Sequence, residues 1–176
     1  MYKKINISIL EIFFQSPEQE FNVREVARLR NVSPATASKE LHLLEKEKIL
    51  KKREERNYLL FQSNLESDSY KDIKVYYMIR ALRESGLINK LNDFYLKPTI
   101  VLYGSAAYGL DTSTSDVDLI VISEKTEAIT NLRVYEHKIN RAIHLMNIKE
   151  LKELKNEHLI NNVLNGILVQ GSIQWI

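Results

Sequence analysis

Cysteine is absent from the 176 residues. That excludes disulfides, thiolate metal sites and a cysteine nucleophile, leaves oxygen or imidazole as the ligands of any metal, and fits a reducing compartment. No apolar run approaches the roughly 20 residues that a membrane helix needs, and the opening Met1-Tyr-Lys-Lys4 followed by Ile-Asn-Ile-Ser8 is too polar for a signal peptide. A cytoplasmic protein with no membrane partner is expected. The chain also has no internal repeat, no low-complexity tract and no strong charge of either sign, its formal net charge being +2. By region, residues 1–63 carry 12 Lys+Arg against 9 Asp+Glu and residues 64–176 carry 13 against 14, so the basic excess lies in the N-terminal third. Nucleic-acid binding there is permitted rather than demanded.

What is present is a hydrophobic content of 44% in a length that holds one ordinary domain or two small ones. Ile5, Ile9, Ile12 and Phe13 recur at helical spacing until Ser16-Pro17 stops the pattern. Asn22 with Glu25 three residues on has the form of a capping box for a second helix through Arg30. Ser33-Pro34 opens a third helix running to about Lys48, with Ala37, Leu41 and Leu44 on its packing face and Thr36, Ser38 and Lys39 on or near the other. Two short strand-like runs follow, Ile49 to Glu55 and Arg56 to Gln62. Three helices and a hairpin predict a winged helix-turn-helix over residues 1–65. In such a module the third helix enters the major groove and the wing lies along the phosphates, so Thr36, Ser38 and Lys39 are candidate base contacts. Lys51, Lys52, Arg53 and Arg56 are candidate phosphate contacts, with Glu54 and Glu55 opposing them. Double-stranded DNA is the expected partner, with a protein-interaction or dimerisation platform as the alternative and a homodimer as the expected assembly.

Residues 66–96 read as a helical connection, with Ile73, Tyr76, Tyr77, Ile79, Ala81 and Leu82 suggesting a buried face and Gly86 an interruption. Beyond it, Thr99 to Tyr103 and Val117 to Ile122 look like buried strands, Glu124 to Lys138 like a helix, Ala142 to Ile148 like a third strand, and Lys149 to Val163 like a helix again. The tail from Gly166 to Trp175 reads as a short strand or hairpin. The fold class is α+β, the winged helix preceding a small domain with a mixed sheet flanked by helices over residues 97–176.

The chemistry concentrates between the first two of these strands. Gly104 lets the backbone turn sharply at a strand end, so the Ser105 hydroxyl and the following amides can face a triphosphate. Ten residues after Ser105 stand Asp116 and then Asp118, which on one strand would project to the same face and share a cation. Carboxylates about 4 Å apart at an effective dielectric near 20 repel by roughly 4 kcal/mol, a cost that Mg²⁺ or Mn²⁺ offsets. Asp111, in the loop between, reads as solvated.

Gly104-Ser105 followed by Asp116-x-Asp118 resembles the signature of the polymerase-beta-like nucleotidyltransferase superfamily. The order of the whole chain, with the tail Asn165-Gly-Ile-Leu-Val-Gln-Gly171, resembles prokaryotic, especially archaeal, proteins that join a winged helix to a minimal nucleotidyltransferase domain. The resemblance implies transfer of a nucleoside monophosphate from an NTP, with Gly104 and Ser105 binding nucleotide and Asp116 and Asp118 binding metal. The acceptor is open: a protein hydroxyl, a nucleic-acid end or a small molecule. It also implies a third acidic residue on a neighbouring strand, where residues 141–147 offer no Asp or Glu. His144 is the occupant of that position, as a base, a ligand or a bland strand residue, and Glu136 is the nearest upstream carboxylate. The alternative is a DNA-binding regulator whose domain senses nucleotide without transferring it.

Overall fold

The computed structural model describes residues 6–173; Ile5, expected to open the first helix, and Gln174 to Ile176 at the end of the tail lie outside the described residues. The chain divides between Lys74 and Val75 into two units.

In the first unit, α1 (Ile7–Gln15) starts at Asn6, whose side chain accepts from the Ser8 amide, and stops where the Ser16 amide donates to Ile12 O ahead of Pro17. A two-residue strand, β1 (Phe21–Asn22), leads directly into α2 (Val23–Arg30). The capping box is formed: Asn22 Oδ1 accepts from the amides of Arg24 and Glu25, and Glu25 Oε2 accepts from the Asn22 amide at 2.8 Å. Asn31, at φ 52, ends that helix, and α3 (Pro34–Lys46) begins with Ser33 Oγ accepting from the Thr36 amide. The strands β2 (Leu50–Glu55) and β3 (Tyr58–Ser63) pair antiparallel through Arg56 and Asn57, both at positive φ, as a two-residue hairpin turn requires. Arg56, expected to open a strand, is thus a turn residue. β1 adds to the far edge of β3, giving the order β1-β3-β2. A two-residue strand carries no period and was not predictable.

The core of this unit is the apolar face of each helix closed by Phe61: Phe13, Val26, Ala37, Leu41, Leu44 and Ile49 are buried, each of the larger ones contributing about 1.5–3 kcal/mol. Phe13 and Phe21 meet edge to face at 5.4 Å. The Phe13 carbonyl, left open by the end of α1, accepts from Ser63 Oγ at 3.0 Å and Tyr70 Oη at 3.2 Å.

The helix α4 (Asp68–Glu84) carries the chain across the boundary, and α5 (Leu87–Tyr95) follows after Ser85, whose Oγ accepts from the Leu87 amide. The segment 66–96 is therefore two helices, and Leu82, Leu87, Ile88, Leu91 and Tyr95 from it are buried in the core of the second unit.

That core forms on a four-stranded sheet of β4 (Thr99–Tyr103), β5 (Val117–Ile122), β6 (Ile143–Ile148) and β7 (Ile167–Gln170), in the order β6-β5-β4-β7. β4 runs antiparallel to β5 and β7, and β5 parallel to β6, so the sheet is mixed. Strand alternation sends Ile100, Leu102, Leu119 and Val121 to the face covered by α5, and Val101, Tyr103, Ile120 and Ile148 to the face that receives Val163 of α7 (Glu157–Leu164). Gly166 lies so close to β4 that a Cβ there would meet Leu102 O at 2.6 Å.

Two predicted helices are shorter than expected. Residues 124–131 are irregular, with Lys125 N–H held by Ser123 Oγ and Asn131 at φ 66; only α6 (Arg133–Ile139) is helical. The run from Lys149 breaks into a 3₁₀ turn, Leu151–Glu153, and α7, because the Asn156 side chain accepts from the His158 and Leu159 amides and starts a new helix.

Candidate active site

The centre of the second unit is a row across three strands. Tyr103 pairs with Asp118 on β5, and Asp118 pairs with His144 on β6, so the three side chains share the α7 face of the sheet. Asp118 Oδ1 lies 3.1 Å from His144 Nδ1. The imidazole side chain is 60% exposed against 26% for the carboxylate, so the histidine presents its far edge to solvent while the aspartate sits deeper. Burial, and secondarily the negative charge of Asp118, pushes the Tyr103 phenol up from its ordinary value.

Gly104 ends β4 at φ 70 and ψ −161, a conformation natural only to glycine, and a Cβ there would collide with Asp118 Oδ2. The turn and the carboxylate are therefore fitted to one another. Ser105 opens a 3₁₀ turn (Ser105–Tyr108) that Leu110 N–H closes onto Ser105 O at 3.0 Å; the half-buried Ser105 hydroxyl makes no hydrogen bond among the described residues.

Asp116 stands differently from expectation. β5 begins at Val117, so the alternation that would align Asp116 with Asp118 does not extend to it. It is exposed and lines an open cavity of about 580 Å³ together with Arg133, Glu136, His137 and Arg141. Glu136 does not join Asp118: its Oε1 accepts from the Ile143 amide at 3.0 Å and fixes the start of β6. Asp111, expected in solvent, is buried at 3% exposure. The loop around it folds back on itself, with the Thr112 amide donating to Ser115 Oγ at 2.9 Å, and turns the aspartate inward. Its neighbours Gly109, Leu110 and Thr112 gave no periodic signal of that burial.

Among the described residues no three His, Asp or Glu side chains gather as a metal-holding group. Two carboxylates remain compatible with a divalent ion that enters as part of the nucleotide complex, because Mg²⁺ is commonly held by one or two carboxylates and by phosphate oxygens.

In the first unit, Thr36 and Lys39 are exposed at the start of α3, while Ser38 is half-buried with its Oγ 3.5 Å from His42 Nδ1. Most of the predicted phosphate contacts on the hairpin are engaged by carboxylates: Lys51 with Glu66 at 3.2 Å, Lys52 with Glu45 at 3.7 Å, and Arg53 with Glu20 and Glu55 at 2.5 and 2.6 Å. The hydrogen bond from Arg53 holds the Glu20 carboxyl below its usual range. Arg56 forms no ion pair among the described residues.

Comparison with known proteins agrees with this geometry. Residues 84–168 match the family model of the nucleotidyltransferase domain. No curated protein matches the chain. The crystal structure of the hypothetical protein PyrSV_gp04 from Pyrobaculum spherical virus is similar at 17% identity and a TM-score of 0.31, over 58% of this chain and 60% of that one, so the chain spans about three fifths of that protein's length. The stretch that matches the nucleotidyltransferase domain model runs from the end of α4 to β7 and includes the glycine turn and Asp118.

Proposed function

We propose that the protein transfers a nucleoside monophosphate from an NTP to an acceptor hydroxyl, and that its N-terminal unit is a winged helix-turn-helix that binds double-stranded DNA. The observation that carries the catalytic reading is the mutual fit of Gly104 and Asp118 at the end of β4, with His144 beside it. The backbone turn at Gly104 and the Ser105 hydroxyl receive the triphosphate. In the neutral tautomer that donates Nδ1–H to Asp118, the other ring nitrogen of His144 is the one that can take the acceptor proton. The acceptor oxygen attacks the α-phosphorus, the bond to the pyrophosphate oxygen breaks, and pyrophosphate leaves. A divalent ion accompanying the nucleotide would neutralise phosphate charge, with Asp116 and Asp118 as the carboxylates on offer.

The first unit supports the DNA reading through its element order, the exposed start of α3 and the hairpin after it. Residues 1–65 would be the DNA-binding module, 97–176 the minimal catalytic module, and a homodimer the working form.

A second reading, a DNA-binding regulator that senses nucleotide without transferring it, is favoured by the position of Asp116 ahead of β5 and by the lack of a three-donor group among the described residues. Incubation with α-labelled ATP, Mg²⁺ or Mn²⁺ and cell lysate separates the two. Label on an acceptor that disappears with Asp118→Asn supports the transferase; nucleotide uptake with no label transferred supports the sensor.

A further inference from the structure

The cations of the first unit are not equivalent, and three of the four hairpin cations that the sequence favours are already engaged by carboxylates. Lys51, Lys52 and Arg53 each meet a glutamate, and Arg30 meets Glu11 at 2.9 Å. Arg24, near the start of α2, and Arg56, at the hairpin tip, are exposed and form no ion pair among the described residues. They line one cleft of about 520 Å³ whose other polar walls are Asn22, Asn57 and the ring of Tyr58, which is 57% exposed. No carboxylate lines it. The nearest ones along the chain are engaged elsewhere: Glu25, beside Arg24, is turned back to cap its own helix, and Glu55, beside Arg56, meets Arg53 at 2.6 Å.

The cleft is also held in shape. β1 pairs Asn22 with Leu60 and Phe21 with Phe61, fastening the start of α2 to the hairpin, and the two left-handed residues Arg56 and Asn57 fix the tip. Two guanidinium groups, two amides and a phenol without an opposing acid are the groups that bind phosphodiester oxygens.

We propose that this cleft between α2 and the hairpin tip, rather than the lysine-bearing strand β2, is where the unit grips the phosphate backbone of duplex DNA, with Arg24 and Arg56 as the charged contacts. The proposal rests on the DNA-binding reading above and goes beyond it by naming Arg24 and Tyr58 and by removing Lys51, Lys52 and Arg53 from the set. Duplex DNA is favoured over RNA because the exposed start of α3 presents a helix of the kind a B-form major groove admits and an A-form one does not.

The test is titration of a labelled DNA duplex with the full chain between 50 and 200 mM salt, for wild type, Arg24→Gln/Arg56→Gln and Lys51→Gln/Lys52→Gln/Arg53→Gln, each checked by thermal unfolding. An RNA duplex of the same sequence and inorganic phosphate at matched ionic strength complete the set. The wild type should bind DNA with a steep slope of log K against log salt; the two-arginine variant should lower that slope by about 2, and the triple variant should change it little. If the triple variant loses the slope and the arginine variant keeps it, the cleft is wrong while the DNA reading stands. No binding, or salt-insensitive binding, by the wild type removes both. RNA bound as well as DNA, or displacement of DNA by inorganic phosphate at unchanged ionic strength, also overturns the cleft as a DNA-backbone site.

Discussion

Asp118 occupies the space that any side chain at position 104 would need, so the turn at Gly104 and the aspartate on β5 form one structural unit. The Gly104→Ala variant meets both a collision with Asp118 Oδ2 and a left-handed φ of 70, a strain of about 1–3 kcal/mol. The expected outcome is a lower melting temperature together with loss of ATP binding, measured by calorimetry. Intact binding at wild-type stability would show that the turn does not seat the nucleotide.

Removing the imidazole separates catalysis from architecture. His144 is 60% exposed, so His144→Gln should leave thermal stability within about 0.5 kcal/mol, the usual range for surface substitutions. It should slow label transfer by roughly 10²–10⁴-fold, the contribution typical of a positioned general base. An unchanged transfer rate assigns the histidine no part in proton transfer.

Tyr103 sets an alkaline limit on stability. Burial and then the charge of Asp118 raise its pKa above the ordinary value near 10.0, so the folded state holds the phenol proton more tightly than the unfolded chain does. The associated stability is fully present below pH about 10 and is lost as pH rises through the folded pKa. Urea unfolding at pH 9 and pH 11 should show a smaller decline for Tyr103→Phe than for wild type. Equal declines would place the alkaline sensitivity elsewhere.

Gly166→Ala probes the packing of the tail against β4. A methyl there would meet Leu102 O at 2.6 Å, and a backbone carbonyl inside a paired strand has little room to yield. A destabilisation of about 1–3 kcal/mol is expected from denaturant midpoints, with β7 the first strand to lose amide protection in hydrogen exchange.

The sequence was most readable where one local rule decides. The capping box at Asn22 and Glu25, the Ser33-Pro34 start and the β-branched runs of β4 and β5 have the limits their residues announce, because hydrogen-bonding side chains and alternation act within a few positions. His144 opposite Asp118 was also within reach, since the strand order implied by the resemblance put it there. Three things were not legible. Asp116 stands one residue ahead of β5, which begins at Val117 as its run announces, so the two-residue spacing to Asp118 did not by itself put both carboxylates on the strand. Asp111 is buried by a loop whose fold depends on Ser115 and Thr112 meeting. The ion pairs of Lys51 and Arg53 join residues distant in sequence, Glu66 and Glu20, so a run of basic residues looked more available than it is.

The imidazole beside Asp118 is delivered by a strand whose phase is pinned by the hydrogen bond from the Ile143 amide to Glu136. Insertion or deletion of one residue in the link at 140–142 would exchange what faces the aspartate for Ile143 or Leu145, leaving every signature residue in place while silencing the chemistry. The proposed transfer activity could thus be switched off, or re-equipped with another functional group, by a change in spacing alone.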